Sequence, residues 1–518
     1  MDVGTLVARA TRAYRDRPAV ESEEGVLTFG EIGARIFQLS RGLRSLGLET
    51  EDRVLDLQFN QISYVESDLG ISSAGLCRVA LNYRLHPNDW VRIATDCGAT
   101  VLILDHKFWE ESAPVRALVE HVILIHGSEP ETINYEDFLS AQIAEPLNLA
   151  VDPDSLVSLN YSSGTTGNPK GAIRTHRNRI ASLNNIVTDI LKRVPDETDC
   201  WIHAGPITHT SGLFVLPYFA FGAKQIILSK FDPDEFVNVI QNRGGNATAL
   251  VPTMIARLLA MPGMSREKMS NLRLLGYAGA PMTPEHIKQC YETITKNMVQ
   301  YYGLVEAIPP VTVLSANDHE LGLFGGPELL TSAGNACIGV EILIVDEENN
   351  PVPIGEIGEV ITRGDHVMRG YYGAAGKDAT VTKAVRDGWL HTGDLGRVDI
   401  DNRLYLVDRK GDMIISGGYN IYPREIEDVV ADVEGVLEVA VIGVKDVEWG
   451  QRVVAMVTLK PGVSASDEEI SEKVMAHCKA NMASYKKPKV VMVVKEFPLN
   501  STGKIAKKVL RQELEASA

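Results

Sequence analysis

Short β-branched runs alternate with helical stretches along most of this chain, and that alternation restricts the fold more than any other feature. Thr100 to Leu104, Val122 to Ile125, Gln225 to Leu228, Ala247 to Val251 and Leu272 to Tyr277 are each strand-length and largely apolar. Strands separated by helices form β-α-β units, so an α/β architecture with largely parallel sheets is expected. After about residue 330 the texture changes. Ile338 to Val345, Gly358 to Thr362 and Arg403 to Val407 are shorter runs between Gly, Asn and Asp turns, which predicts a small β-rich subdomain. A boundary is expected at Arg409-Lys410-Gly411-Asp412, where charge and a glycine separate two apolar segments. It divides a large N-terminal domain, residues 1–409, from a small mobile α+β domain, residues 410–518. The latter carries an expected helix from Pro423 to Val433, strands near Val436 to Val444 and Arg452 to Leu459, a helix from Asp467 to Cys478 and a strand at Lys489 to Val494. A length of 518 residues exceeds what one ordinary core organises, in keeping with at least two domains.

The formal net charge of −17 argues against broad binding to nucleic acid or anionic membrane, although it leaves room for a local basic patch. The first twenty residues carry charges within their apolar positions and lack a secretory h-region. No apolar run approaches the roughly eighteen residues of a membrane span, so stable membrane insertion is not expected and the chain reads as cytoplasmic. Cys77, Cys97, Cys200, Cys290, Cys337 and Cys478 are scattered without a Cys-x-x-Cys pair, and are expected as buried thiols.

The stretch Tyr161-Ser162-Ser163-Gly164-Thr165-Thr166-Gly167-Asn168-Pro169-Lys170-Gly171 has the composition of a phosphate-holding loop. Its glycines let backbone N–H groups turn toward an anion, its hydroxyls donate further hydrogen bonds, and Lys170 supplies a compact positive charge. It is not the Walker A pattern, because Lys170 is followed by Gly171 and the glycine spacing differs. By itself the stretch is equally consistent with a polar surface turn that binds nothing.

Five further motifs follow in order: Gly276-Tyr277-Ala278-Gly279-Ala280-Pro281, Tyr301-Tyr302-Gly303-Leu304-Val305-Glu306, Trp389-Leu390-His391-Thr392-Gly393-Asp394, Asp408-Arg409-Lys410-Gly411-Asp412 and Pro498-Leu499-Asn500-Ser501-Thr502-Gly503-Lys504. With the loop, they resemble the adenylate-forming superfamily of acyl-CoA synthetases, peptide-synthetase adenylation domains and firefly-type luciferases, over nearly the whole chain. The resemblance implies that ATP or AMP is bound by the loop and by Gly279, Ala280, Pro281, Gln300, Tyr301, Tyr302, Gly303, Val305, Asp394 and Arg409. Tyr302 would stack on adenine and Asp394 would accept hydrogen bonds from the ribose hydroxyls. On residue type alone Tyr302 is as much a core aromatic, and Asp394 a turn residue. Glu306 would hold Mg²⁺ together with substrate phosphates, and His209 would stand at the acid pocket. Lys504 would stabilise the charge that develops as a carboxylate attacks the α-phosphate. Ser416, Gly417, Gly418 and Tyr419 would line the path of CoA, with Lys486, Lys487 and Lys489 either near its phosphates or forming a solvated charged face.

The implied activity is that of an AMP-forming acid–CoA ligase, which makes acyl-AMP and then a thioester, its small domain rotating between the two steps. Gly411 stands at the hinge, where the family often has Asp or Lys. A more consequential departure is Val305, where the family pattern has a threonine whose hydroxyl touches the α-phosphate. A hydrogen bond to a charged group contributes about 1.5–3 kcal/mol, so its loss would slow adenylation roughly ten- to a hundredfold unless another donor replaces it. An enzyme that takes acyl-AMP from a separate adenylating enzyme is therefore one alternative. Others are an amide-forming enzyme, a carrier-protein acceptor and a non-catalytic nucleotide-binding protein. Gly212 to Tyr218 and Ala307 to Leu314 are rich in aliphatic and aromatic residues and suggest an apolar acid. A homodimer is an expectation at the level of the family only.

Overall fold

The computed structural model describes residues 1–162, 169–373, 384–416, 419–446, 449–460, 462–499 and 505–516. The chain divides into two compact units, one formed by Met1–Ile342, Ile361–Thr392 and Asn402–Leu404, the other by Leu343–Val360, Gly393–Asp401 and Tyr405–Ala518.

Two sheets organise the larger unit. The first runs Asn335–Ala336, Ala307–Leu314, Met298–Leu304, Leu274–Tyr277, Ala247–Leu250, Cys200–His203, Lys224–Ile227, Pro18–Ser22 and Gly25–Thr28 in spatial order. From Met298–Leu304 to Pro18–Ser22 every neighbouring pair is parallel. The second sheet places Val101–Asp105 between His121–Ile125 and Arg53–Leu57, continues through Cys77–Ala80 to Leu156–Ser162, and ends on the antiparallel strand Lys170–Thr175. The five strands expected from the sequence lie in these sheets. They are recognisable because burial on both faces leaves a parallel strand apolar at nearly every position. Val101–Asp105, for example, is buried throughout.

Helices connect the parallel strands, and their starts are written locally. In Pro233–Asn242 the Asp232 carboxylate accepts the Glu235 N–H, Pro233 occupies the first turn, and Phe236, Val237, Val239 and Ile240 turn into the core. Residues 341–409 form the short strands Glu341–Val345, Gly358–Arg363, Val385–Arg386, Trp389–Val398 and Leu404–Arg409, as expected of a β-rich subdomain. In the C-terminal part, Val436–Asp446 pairs antiparallel with Gly450–Leu459, and Val490–Val493 lies parallel beside it. Helices Pro423–Ala431 and Asp467–Asn481 contribute Ile426, Val430, Ile470 and Val474 to the same core as Val441 and Val453. All six cysteines are free and buried. Among the described residues no helix is long and apolar enough to cross a membrane.

His176, His203, His319 and His366 are fully buried, and burial pushes each down to about 4. The unfolded chain would take up these protons first, near the ordinary histidine value of about 6.5. Stability from neutral burial is therefore present above that pH and is lost as pH falls toward 4, by at most about 3 kcal/mol per histidine. Urea midpoints recorded in steps from pH 7 to 4 should fall progressively; an invariant midpoint would contradict this.

Candidate active site

The sequence motifs of the larger unit gather where parallel strands end. His209 follows Cys200–His203, Gly279 to Pro281 follow Leu274–Tyr277, and Val305 and Glu306 follow Met298–Leu304. Loops at the carboxyl ends of parallel strands are where such sheets build ligand crevices. Gly279 has φ of 87°, a left-handed conformation that favours glycine, and Ala280 and Pro281 beside it are exposed.

A cluster of charged groups meets at the turn Val305-Glu306, which joins the antiparallel strands Met298–Leu304 and Ala307–Leu314. Lys170 stands at the start of the strand that leaves the glycine-rich loop, opposite Ser162 in the pairing. Ser163, Gly164, Thr165, Thr166 and Gly167 lie outside the described residues. Alternation along a strand puts Lys170, Ala172 and Arg174 on one face. The Lys170 Nζ lies 5.8 Å from the centre of the Tyr371 ring, and the Tyr371 hydroxyl donates to Glu306 Oε1 at 2.7 Å. Arg174 donates from Nη2 at 2.9 Å and from Nε at 3.3 Å to the carbonyl oxygen of Val305. Burial pulls the Arg174 guanidinium down to about 10, with the nearby Glu306 carboxylate opposing that shift.

Arg174 and Tyr371 were missed by sequence reasoning. The available signal for Arg174 was a cation directly after the apolar stretch Gly171 to Ile173, four residues beyond Lys170. Glu306 is half-buried, and its second carboxylate oxygen makes no hydrogen bond to a described residue. One open carboxylate oxygen fits a Mg²⁺ ion held mainly by phosphates and water. Among the described residues no group of three or more His, Cys, Asp and Glu could cage a metal alone.

His209 is half-buried and its Nε2 lies 2.9 Å from Asn82 Nδ2. The Arg84 N–H donates to Asn82 Oδ1, so the Asn82 amide presents its NH₂ group and His209 Nε2 accepts. The segments taken from the sequence as acid-pocket candidates are largely core. Phe214 stacks on Trp201 with ring centres 3.7 Å apart. Val215 to Tyr218 are buried, as are Ala307, Ile308, Val311 and Val313. Their apolar character thus reflects packing at least as much as a ligand. Tyr301 is 1% exposed with its ring against Phe214, whereas Tyr302, on the opposite face of the strand, is half-buried, as are Gln300 and Gly303.

In the smaller unit Arg409 Nε lies 2.6 Å from Asp394 Oδ1, with the carboxylate nearly buried and the guanidinium half-exposed. Ser416 is buried. Tyr419 is exposed and stacks on Tyr485, centres 4.6 Å apart and planes inclined by 24°. Lys489 Nζ sits 4.4 Å from the centre of the Trp449 ring, while Lys486 is paired with Glu425 at 2.5 Å. Gly417, Gly418 and Lys504 lie outside the described residues.

Comparison with known proteins agrees with the motif order. Residues 7–372 match the AMP-binding enzyme family and residues 425–504 its AMP-binding enzyme C-terminal domain. The chain belongs to this family, the adenylate-forming superfamily, and its full-length relatives include acyl-CoA ligases. It is 33% identical over 98% of its length to the medium/long-chain-fatty-acid–CoA ligase FadD8 of Mycobacterium tuberculosis, covering 89% of that protein. It is also 33% identical to a feruloyl-CoA synthase of an Amycolatopsis species, covering 98% of both chains. Among solved structures, ATP-bound MatB from Rhodopseudomonas palustris superposes with a TM-score of 0.87 at 27% identity, over 99% of both chains.

Replacing Tyr371 by Phe removes the O–H that holds Glu306. Because Glu306 is only half-buried, the expected loss of unfolding free energy is about 1 kcal/mol. Urea unfolding checks it, and an unchanged midpoint would show that the hydroxyl contributes nothing in solution.

Proposed function

We propose that this chain is an AMP-forming carboxylic acid–CoA ligase acting on an apolar acid. The observation that carries this reading is the convergence of Lys170, Arg174, Tyr371 and Glu306 beside the exit of the glycine-rich loop. Cations flanking one partly open carboxylate suit a magnesium-bound polyphosphate. In the first half-reaction a carboxylate oxygen bonds to the α-phosphorus of ATP and the bond from that phosphorus to pyrophosphate breaks. In the second the CoA thiolate bonds to the acyl carbon and AMP leaves. A free carboxylate has no good leaving group, and adenylation supplies one.

In this reading Lys170 and the loop hold phosphate, and Glu306 holds Mg²⁺, which would draw negative charge from the phosphate oxygens. Tyr302 lies against adenine between backbone and Gly279 to Pro281, and Asp394 with Arg409 takes the ribose. His209, its Nε2 oriented by Asn82, borders the acid. Lys504, from the proposed domain 410–518, meets the charge that develops at the α-phosphate. The exposed Tyr419 and Tyr485 stack, with Lys487 and Lys489 nearby in sequence, supports CoA as acceptor, since its nucleotide end offers a flat base and phosphates. MatB carries ATP in its own structure, in keeping with ATP here. The relatives are named for medium- and long-chain fatty acids and for feruloyl-CoA, so the acid is proposed no more narrowly than apolar.

Val305 favours one second reading, in which adenylation is weak and the enzyme mainly converts acyl-AMP made elsewhere. The test supplies purified protein with Mg-ATP, CoA and a panel of apolar acids, and in parallel with synthetic acyl-AMPs plus CoA. The proposed ligase yields AMP and acyl-CoA from free acid. Thioester from acyl-AMP alone would establish the second reading, amides formed when amines replace CoA would make it an amide synthetase, and no turnover in any arm would overturn both. Lys504→Ala is expected to slow acid-dependent pyrophosphate–ATP exchange by about 10²–10³-fold while sparing thioester formation from acyl-AMP. Equal loss in both half-reactions would contradict the role given to Lys504.

A further inference from the structure

Arg174 differs from Arg35, Arg78 and Arg179, three arginines of the larger unit whose charge is met by carboxylates. Arg35 pairs with Glu66 at 2.5 Å and with Glu136 at 2.7 Å. Arg78 pairs with Asp56 at 2.5 Å and with Asp68 at 3.2 Å, and Arg179 with Asp68 at 2.7 Å. Arg174 has no carboxylate within 4 Å among the described residues. Its protein hydrogen bonds go to one neutral oxygen, the carbonyl of Val305, through Nε and Nη2. Nη1 makes no hydrogen bond to a described residue. The nearest acid, Glu306, accepts instead from Tyr371.

Removing a cation from water without a counter-anion is costly, which is why inward-facing charges are paired. The counter-anion of Arg174 is therefore to be sought in a ligand. Two features say which kind. Arg174 shares a strand face with Lys170, the lysine that leaves the glycine-rich loop, and its own hydrogen bonds end on the turn that carries Glu306. A guanidinium presents donors in a planar fork, so one edge can grip the Val305 carbonyl while another nitrogen donates outward.

We propose that Arg174 binds an oxygen of the nucleotide's phosphate chain through Nη1 while its Nε and Nη2 edge fixes the Val305 carbonyl. It supplies the donor that the side chain of Val305 lacks, so a hydroxyl at position 305 is dispensable. This rests on the proposed nucleotide-dependent reaction, but its test does not need that reaction to run.

The dissociation constants of ATP, AMP and adenosine are measured by calorimetry in EDTA for the wild-type chain, Arg174→Met and Arg174→Lys. Loss of a charged hydrogen bond predicts ATP binding about ten- to a hundredfold weaker in Arg174→Met, with adenosine unchanged. Arg174→Lys keeps the charge but not the fork, so it should weaken ATP by a smaller factor, again with adenosine unchanged. It also serves if Arg174→Met does not fold. ATP and adenosine weakened equally would make Arg174 a structural residue, and ATP unchanged in both variants would remove it from the site; either overturns the proposal.

Pyrophosphate–ATP exchange adds a cycle with Val305→Thr. The gain from that substitution should be at least about fivefold larger in the Arg174→Met background than in wild type, because the two donors would serve one phosphate. Additive effects would overturn the substitution of one donor for the other. Absence of exchange in wild type with every acid, beside the predicted binding pattern, would reject the ligase reading and leave Arg174 as a phosphate ligand.

Discussion

The grip on the turn Val305-Glu306 is the contact on which the charged cluster of the larger unit depends. Arg174 holds its carbonyl and Tyr371 holds its carboxylate, from parts of the chain far apart in sequence. A turn at a strand end is held by little of its own, since its backbone is outside the ladder. These two contacts tie it to the strand that begins at Lys170 and to the segment leading from Met368, whose N–H donates to the Glu306 carbonyl. Lys170, Arg174 and the Glu306 carboxylate, to which the proposed function gives phosphate and metal, are thereby set as one group. Such preorganisation is what electrostatic catalysis of phosphoryl chemistry requires.

Much of the fold was legible because its constraints are local. The stretch Val101–Asp105 is apolar from end to end, and Asp232 with Pro233 writes a helix start into two adjacent residues. Motif order was legible too, and among the described residues Gly279 to Pro281 follow the strand Leu274–Tyr277 while Val305 and Glu306 form the turn after Met298–Leu304. Ambiguity arose where pocket and core ask for the same side chains. Phe214 to Tyr218 read as a lining for an apolar acid, yet they pack against Trp201 and the sheet. Alternation separates Tyr301, turned into that core, from Tyr302 on the opposite face, a distinction that adjacent tyrosines conceal.

Arg174 and Tyr371 were illegible for a different reason. Their partners lie 131 and 65 residues away, and neither belongs to a recognisable motif. What a sequence offers there is an absence, a cation with no acid at a helical or strand spacing that could pair with it. Val305 shows the converse. Its side chain could be read as a lost function from the sequence, but its carbonyl, which every residue has, proves to be the point where a second cation is anchored.

The account's central claim is that this cluster directs a carboxylate onto the α-phosphorus of ATP. Mass spectrometry of the nucleotide formed from a carboxylic acid labelled with ¹⁸O in both oxygens, with CoA present, tests it most directly. One ¹⁸O in AMP and none in pyrophosphate is the predicted result, because the oxygen that bonds to phosphorus stays there when the thiol displaces AMP. Label in inorganic phosphate with ADP as the nucleotide product, or AMP without label, would contradict it.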